Sequence, residues 1–333
     1  MKEKKKQNKY IFVLIMLLAI AVAGGIFTTV YVKLEKSGEE SGSIRVVTSF
    51  YPIYIAAENV IGENSDVTLQ NLSEPQTGCM HDYQLTPQDM ILLSEADVFI
   101  VNGGGIESFL SEVAESYPEL TIIQATDGLE LLGEEEHFEE EDGHVHEEEE
   151  HTHEEGHVHN HGDENAHAWM NTELYAEMVG NIAEGLAGAD SEHREAYQKN
   201  AEQYCEKIQK LTDQIDEVKE ELSGKNIIIF HEAYEYVAQQ YGMDVAYCLD
   251  LDEERQVSAG EVAEVMEQIQ GNQVSVILAE ELYGKSMGDT VEKEGNCTVY
   301  YLDTLVRGTY EKDSYLNAMQ NNIDLMKKIA GKE

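Results

Sequence analysis

Three histidines and one aspartate stand where an α/β chain keeps its reactive groups. His81 falls in the loop NLSEPQTGCMHDYQLTPQDM, after a strand pattern and before a helix pattern. His231 directly follows the strand-like NIIIF, and Asp303 follows TVYYL. In open α/β sheets ligands gather outside the carboxyl ends of the strands, and these three positions meet that rule. His167 lies in NAHAWMNTELY, where loop gives way to helix. Imidazole and carboxylate are the side chains that hold a borderline divalent metal. Each residue taken singly also has a plainer reading, a loop histidine that only packs or an aspartate that caps the next element. Glu280 and Glu281, after VSVILA, are reserve candidates, and His193, in the first turn of a charged helix, reads as solvated surface.

A second set of histidines is crowded into EEEHFEEEDGHVHEEEEHTHEEGHVHNHGDE, residues 134–164. It holds eight of the twelve histidines (His137, His144, His146, His151, His153, His157, His159 and His161) and fifteen carboxylates. Phe138, Val145 and Val158 are its only clearly apolar residues. So little apolar surface cannot offset an ordering entropy of roughly 1–2 kcal/mol per residue. The segment reads as a disordered insert whose H-x-H pairs attract soft or borderline divalent ions. A merely solvating acidic loop is the plainer alternative. Either way, a folded metal site has to lie elsewhere.

The elements that would position such a site are legible as patterns. Residues 44–50, 66–72, 97–103 and 120–126 are short β-rich runs, with helical patterns at 86–96 and 106–117 between them. Strands alternating with helices predict a parallel sheet with helices on its faces. After the insert a helical stretch runs from 171 to 223. Its second part carries one apolar stripe: Tyr197, Ala201, Tyr204, Ile208, Leu211, Ile215, Val218 and Leu222. Spacings of four and three predict one long helix over 191–222, with Asp190 or Ser191 as N-cap and Gly224 as stop. A coiled-coil dimer is the competing use of that stripe. The α/β alternation resumes with strands at 226–230, 244–249, 274–280 and 298–302, and a last amphipathic helix covers 313–331. The predicted fold is α/β, two lobes, each a parallel sheet flanked by helices, joined by one long helix.

Bulk properties narrow the class. The formal net charge of -44, a third of it in the insert, argues against a nucleic-acid partner, since phosphates would be repelled. MKEKKKQNK at the N-terminus is basic, and Tyr10–Val32 runs 23 residues without a charge. That length spans a bilayer core, and the lysines place residues 1–9 in the cytoplasm. A transmembrane anchor at 10–32 is the preferred reading; a cleaved signal segment ending near Ala21-Val22-Ala23 is the alternative. No cysteine precedes Cys79, so a lipidated N-terminal cysteine is not expected. Cys79, Cys205, Cys248 and Cys297 could pair in an exported protein or stay as thiols. The expected organisation is a linker at 33–43, a first α/β lobe at 44–132 completed by 165–190, the insert at 133–164, a linking helix at 191–223 and a second lobe at 224–333.

Taken in order, several motifs resemble the metal-binding solute receptors of bacterial ABC importers, in the zinc/manganese family. They are VVTSFYP at 46–52, HDYQLTPQD at 81–89, NAHAWMN at 165–171, FHEAYEYVAQQYGM at 230–243, AEE at 279–281 and YLDTL at 301–305. The zinc branch often carries a His- and acid-rich loop between its first two ligand histidines, and the insert lies between His81 and His167. The resemblance implies two Rossmann-like lobes with the metal in the cleft between them, and metal ligands His81, His167, His231 and Asp303, the last being the least secure, with Glu280 as its substitute. Three imidazoles and a carboxylate suit Zn2+ in roughly tetrahedral coordination at about 2.0–2.2 Å. Manganese receptors of this kind tend to have a carboxylate at the third position, so His231 favours zinc over Mn2+. Neutral imidazole is the binding form, which predicts weaker binding below about pH 6.

There are departures too. Asn165-Ala166 replaces the usual Asp-Pro, Thr304 stands where proline is common, and Met80 occupies a position that some zinc receptors give to glutamate. The first of these predicts a looser loop around His167. The resemblance further implies a monomeric receptor on the extracytoplasmic face of the membrane, working with an ABC permease and its ATPase. Two other classes compete. A zinc hydrolase would need an H-E-x-x-H-like base, but His231-Glu232 is followed by Ala233-Tyr234-Glu235. A surface adhesin on the same fold has no motif in its favour, so no enzymatic activity is expected.

Overall fold

The computed structural model describes residues 43–74, 80–81, 83–133, 164–251 and 255–332. The predicted segment 10–32, Cys79 and the insert histidines lie outside them. Among the described residues, no helix is long and apolar enough to cross a membrane.

Two four-stranded parallel sheets carry the fold. In the first, β1 (Ile44–Thr48), β2 (Val67–Asn71), β3 (Val98–Val101) and β4 (Thr121–Gln124) are ordered β2-β1-β3-β4. In the second, β7 (Asn226–Ile229), β8 (Asp244–Cys248), β9 (Val276–Ala279) and β10 (Thr298–Tyr301) are ordered β10-β9-β7-β8. Counted from its own first strand, each sheet has the same order, so one βαβ plan is used twice. A short antiparallel pair, β5 (Leu132–Gly133) with β6 (Glu164–Asn165), brings together the two ends of the chain that flank the insert.

The strands are apolar on both faces because both faces are covered. Ile227 and Ile229 point into a core shared with the first half, and Ile228 and Phe230 into a smaller one. That smaller core is made with α7 (Ala259–Gly271) and α8 (Glu281–Glu294). Local signals start the helices. Thr86 and Asp89 form a reciprocal capping box ahead of α2 (Pro87–Glu95), and Ser258 with Glu261 does the same for α7. Helix α1 (Tyr51–Ile61) has no stripe to betray it, since Tyr51, Pro52, Ile53, Ile55, Ala56, Ala57, Val60 and Ile61 are all buried, whereas the short α3 (Leu110–Ser116) buries Val113.

The helical stretch 171–223 is two helices. Asn171 caps α4 (Thr172–Ala189), and α5 (Arg194–Leu222) starts three residues later than the predicted helix, with His193 rather than Asp190 or Ser191 at its N-cap. Asp190 instead accepts hydrogen bonds from Tyr197 Oη at 2.7 Å and from His193 Nδ1 at 2.6 Å, which breaks the chain between the two helices. His193 is therefore a paired junction residue, not a free surface one. The stripe of α5 is buried throughout. It packs on α1 and α4 from the first half, and on α6 (Tyr234–Tyr241) and α9 (Ser314–Ile329) from the second. The chain's own helices thus cover the face that a coiled coil would have used. Gly224, at φ 72°, ends the helix as expected. Cys205, Cys248 and Cys297 are free thiols, so no disulfide forms among the described residues.

Candidate metal centre

The turn Ala168–Met170 and the segment after β7 bring the chain's isolated histidines together. His81 Nε2 and His167 Nε2 are 3.3 Å apart although 86 residues separate them in sequence. Two nitrogens held about 2.0–2.1 Å from one tetrahedral ion would stand about 3.3–3.4 Å from each other. The pair therefore already has the spacing of one edge of a zinc tetrahedron. Glu232 Oε1 lies 3.6 Å from His81 Nε2 and 3.3 Å from His167 Nδ1. One ligand atom each from His81, His167 and Glu232 fall within 4.8 Å of one another.

His231 adjoins this group. Its ring is edge-on to that of His167, with centroids 5.0 Å apart. His167 is wholly buried and His231 nearly so. Burial drives the His167 imidazole well below its ordinary pKa, with His231 and His81 adding to the effect. Burial likewise pushes His231 down to about 3, helped by His81 and by the Arg307 guanidinium. Both rings are therefore neutral near pH 7, which is the metal-binding form. The expected loss of binding below about pH 6 belongs to an exposed imidazole; for these two, burial moves proton competition to lower pH.

The proposed fourth ligands are held elsewhere in the site. Asp303 Oδ1 accepts the Leu305 amide at 2.7 Å, in a turn that needs Leu305 at φ 60°. Asn322 bonds both the amide and the carbonyl of Asp303, fixing the strand end. Burial raises the pKa of Asp303, while the Leu305 amide and Arg307 pull it back. Neither Asp303 nor His231 belongs to the innermost group among the described residues. Glu280, the reserve ligand, is paired with Arg307 Nη1, whose Nη2 donates to Tyr283 Oη at 3.1 Å. A metal would have to displace a guanidinium to use Glu280. Sequence reading missed Glu232 and Arg307. Glu232 stands beside His231 in FHEAY, but nothing in the local pattern sets it apart from the chain's many other acids.

The loop around His167 is not looser for lacking Asp-Pro. Asn165, His167 and Trp169 are all buried. Trp169 Nε1 donates to the Thr304 carbonyl at 2.9 Å, and Tyr315 Oη donates to the Trp169 carbonyl at 2.8 Å. The first of these bonds ties the His167 turn directly to the loop that carries Asp303.

Comparison with known proteins gives the family. The zinc-binding lipoprotein AdcA of Streptococcus pneumoniae is 26% identical over 301 residues, 89% of this chain and 57% of AdcA. The chain thus spans little more than half the length of that relative. The crystal structure of Zn(II)-bound AdcA matches 88% of this chain and 59% of that one with a TM-score of 0.70 at 23% identity, a likeness that shows the fold. The high-affinity zinc uptake system protein ZnuA of Bacillus subtilis is 28% identical over 292 residues, 85% of this chain and 86% of its own length. The manganese-binding lipoprotein MntA of Halalkalibacterium halodurans is 25% identical over 327 residues, 96% and 97% of the two chains. A family profile, described as zinc-uptake complex component A, periplasmic, matches residues 46–329, and the chain belongs to that ZnuA family.

Proposed function

We propose that this chain is an extracytoplasmic zinc receptor that captures Zn2+ and passes it to an ABC permease with its ATPase. The observation that carries the reading is the preset pair of imidazoles of His81 and His167, 3.3 Å apart, the buried His167 ring being neutral, with the Glu232 carboxylate beside them. His231 and Asp303 complete the proposed ligand set from the second half. Such a receptor binds and releases without chemistry, so no enzymatic activity is proposed. Residues 10–32 hold it at the membrane, and it acts as a monomer.

The insert is an accessory in this reading. It leaves the fold between Gly133 and Glu164, which pair directly, and Asn165 pairs with Leu132 only two residues from His167. Ions held weakly by the insert histidines are thereby kept at high local concentration beside the site.

Manganese is the second reading. It is favoured by the full-length likeness to MntA and by Glu232, which makes the innermost donor set harder. Metal content and competitive titration with Zn2+ and Mn2+ decide between them, on the chain with and without residues 134–163. One tight zinc that survives the deletion is the expected result. Tight binding that disappears with the insert would move the site out of the fold. Preference for Mn2+ under competition would reverse the choice of ion.

A further inference from the structure

Asn165 is a buried side chain that reaches from the His167 loop to the segment after β7. It is 1% exposed. Its Oδ1 accepts the His167 amide at 3.1 Å and faces His167 Nδ1 at 2.9 Å. Its Nδ2 donates to the Glu232 carbonyl at 3.1 Å and to Glu235 Oε2 at 2.9 Å. The orientation of the amide is forced, because a backbone N–H cannot accept and a carbonyl cannot donate. An oxygen opposite Nδ1 requires the proton to be on Nδ1. Nε2, the atom 3.3 Å from His81, then carries the lone pair. The roots of the insert close the same circuit. Tyr236 Oη donates to the Asn165 carbonyl at 2.6 Å and accepts the Leu132 amide at 3.1 Å.

We propose that Asn165 is a positioning residue that sets the His167 tautomer for metal capture and, through the same amide, locks that ligand to Glu232 and Glu235 across the site. Its neutrality is part of the role. An aspartate here would still accept from Nδ1, but its second oxygen would face the Glu235 carboxylate at hydrogen-bond distance. Like charges so placed repel, and the lock would open. Asn165 and Glu235 are thus an interdependent pair, and the departure from Asp-Pro is matched by an acid on the opposite wall. For its effect on affinity, the inference rests on the zinc reading; the tautomer does not.

The test therefore has two arms. Long-range 1H–15N spectra of the metal-free, 15N-histidine-labelled chain, with His167 assigned by its loss in His167→Gln, read the tautomer. Because Glu232 Oε1 also lies 3.3 Å from Nδ1, His167 is expected as Nδ1–H in the native chain, in Asn165→Asp and in Glu232→Ala, and shifted toward Nε2–H when Asn165→Ala is added to Glu232→Ala. In zinc competition titrations Asn165→Ala is expected to weaken binding about 10–100-fold, as removal of an outer-sphere partner typically does. Asn165→Asp should weaken it as well despite keeping the tautomer, and the double variant Asn165→Asp with Glu235→Gln should recover most of the loss. An unchanged tautomer when Asn165→Ala is added to Glu232→Ala, or an Asn165→Asp defect that Glu235→Gln leaves untouched, overturns the proposal. A native chain without tight zinc would overturn the receptor reading instead, while the spectra still decide the tautomer.

Discussion

The loop that carries His167 and the loop that carries His231 bury one imidazole each, yet they prepare the two rings in opposite ways. Nδ1 of His167 faces the oxygen of Asn165 and must donate. Nδ1 of His231 accepts the Ala233 amide at 3.0 Å, so in the neutral ring Nε2 carries the proton. The first ring presents a lone pair toward His81. The second has to change tautomer, giving up the Ala233 contact, before its Nε2 can hold a metal. Burial and residue type are alike in the two loops. A hydrogen bond two residues away decides which ring presents its Nε2 lone pair, so in the proposed receptor the first half would be preset for capture and the second half completed on loading.

That contrast is open to direct attack. The largest effect is expected at the preset ring: His167→Ala should cost more than about 100-fold in zinc affinity, beyond what loss of an outer-sphere partner costs. His231→Ala should cost clearly less by the same competition titration. Equal losses would mean that His231 changes tautomer without penalty, and the asymmetry would vanish.

A smaller effect separates the two carboxylates of the second half. Glu232→Gln is expected to weaken zinc by about tenfold, the scale of a lost outer-sphere or weakly held oxygen donor. Asp303→Asn, which keeps the shape of a side chain already spent on the Leu305 amide, should weaken it less. The reverse order would make Asp303, rather than Glu232, the stronger oxygen donor.

The smallest effect is on the metal-free fold. His231 has a folded pKa of about 3 against an ordinary 6.5, so the unfolded chain binds protons first as pH falls. Stability is therefore whole above pH 6.5 and is lost toward pH 3, with a slope of up to about 1.4 kcal/mol per pH unit for each such histidine. His167 is shifted in the same direction. Glu107 and Glu280, whose carboxyls burial raises, act in the opposite sense. The histidine part is therefore read as the difference in denaturant midpoint between the native chain and His231→Asn, at pH 7 and pH 5. Parallel pH profiles for the two would mean that His231 is not held neutral by burial.

By itself, the sequence determined the repeated strand–helix alternation, the striped helix and the short list His81, His167, His231 and Asp303. These are matters of local period and of residues placed after strands, and short-range pattern carries them. It also marked Asn165 as unusual, but assigned the departure the wrong consequence, a looser loop. Only the tertiary structure decided that α5 covers its stripe with α1, α4, α6 and α9, that Glu280 is tied to Arg307, and that Glu232 joins the two nearest histidines. Ligand readiness belongs with these. It depends on which lone pair a ring presents, and that is set by Asn165 for one histidine and by the Ala233 amide for the other. Hydrogen-bond direction and ångström-scale distances between residues far apart in the chain come from packing, which no periodicity encodes.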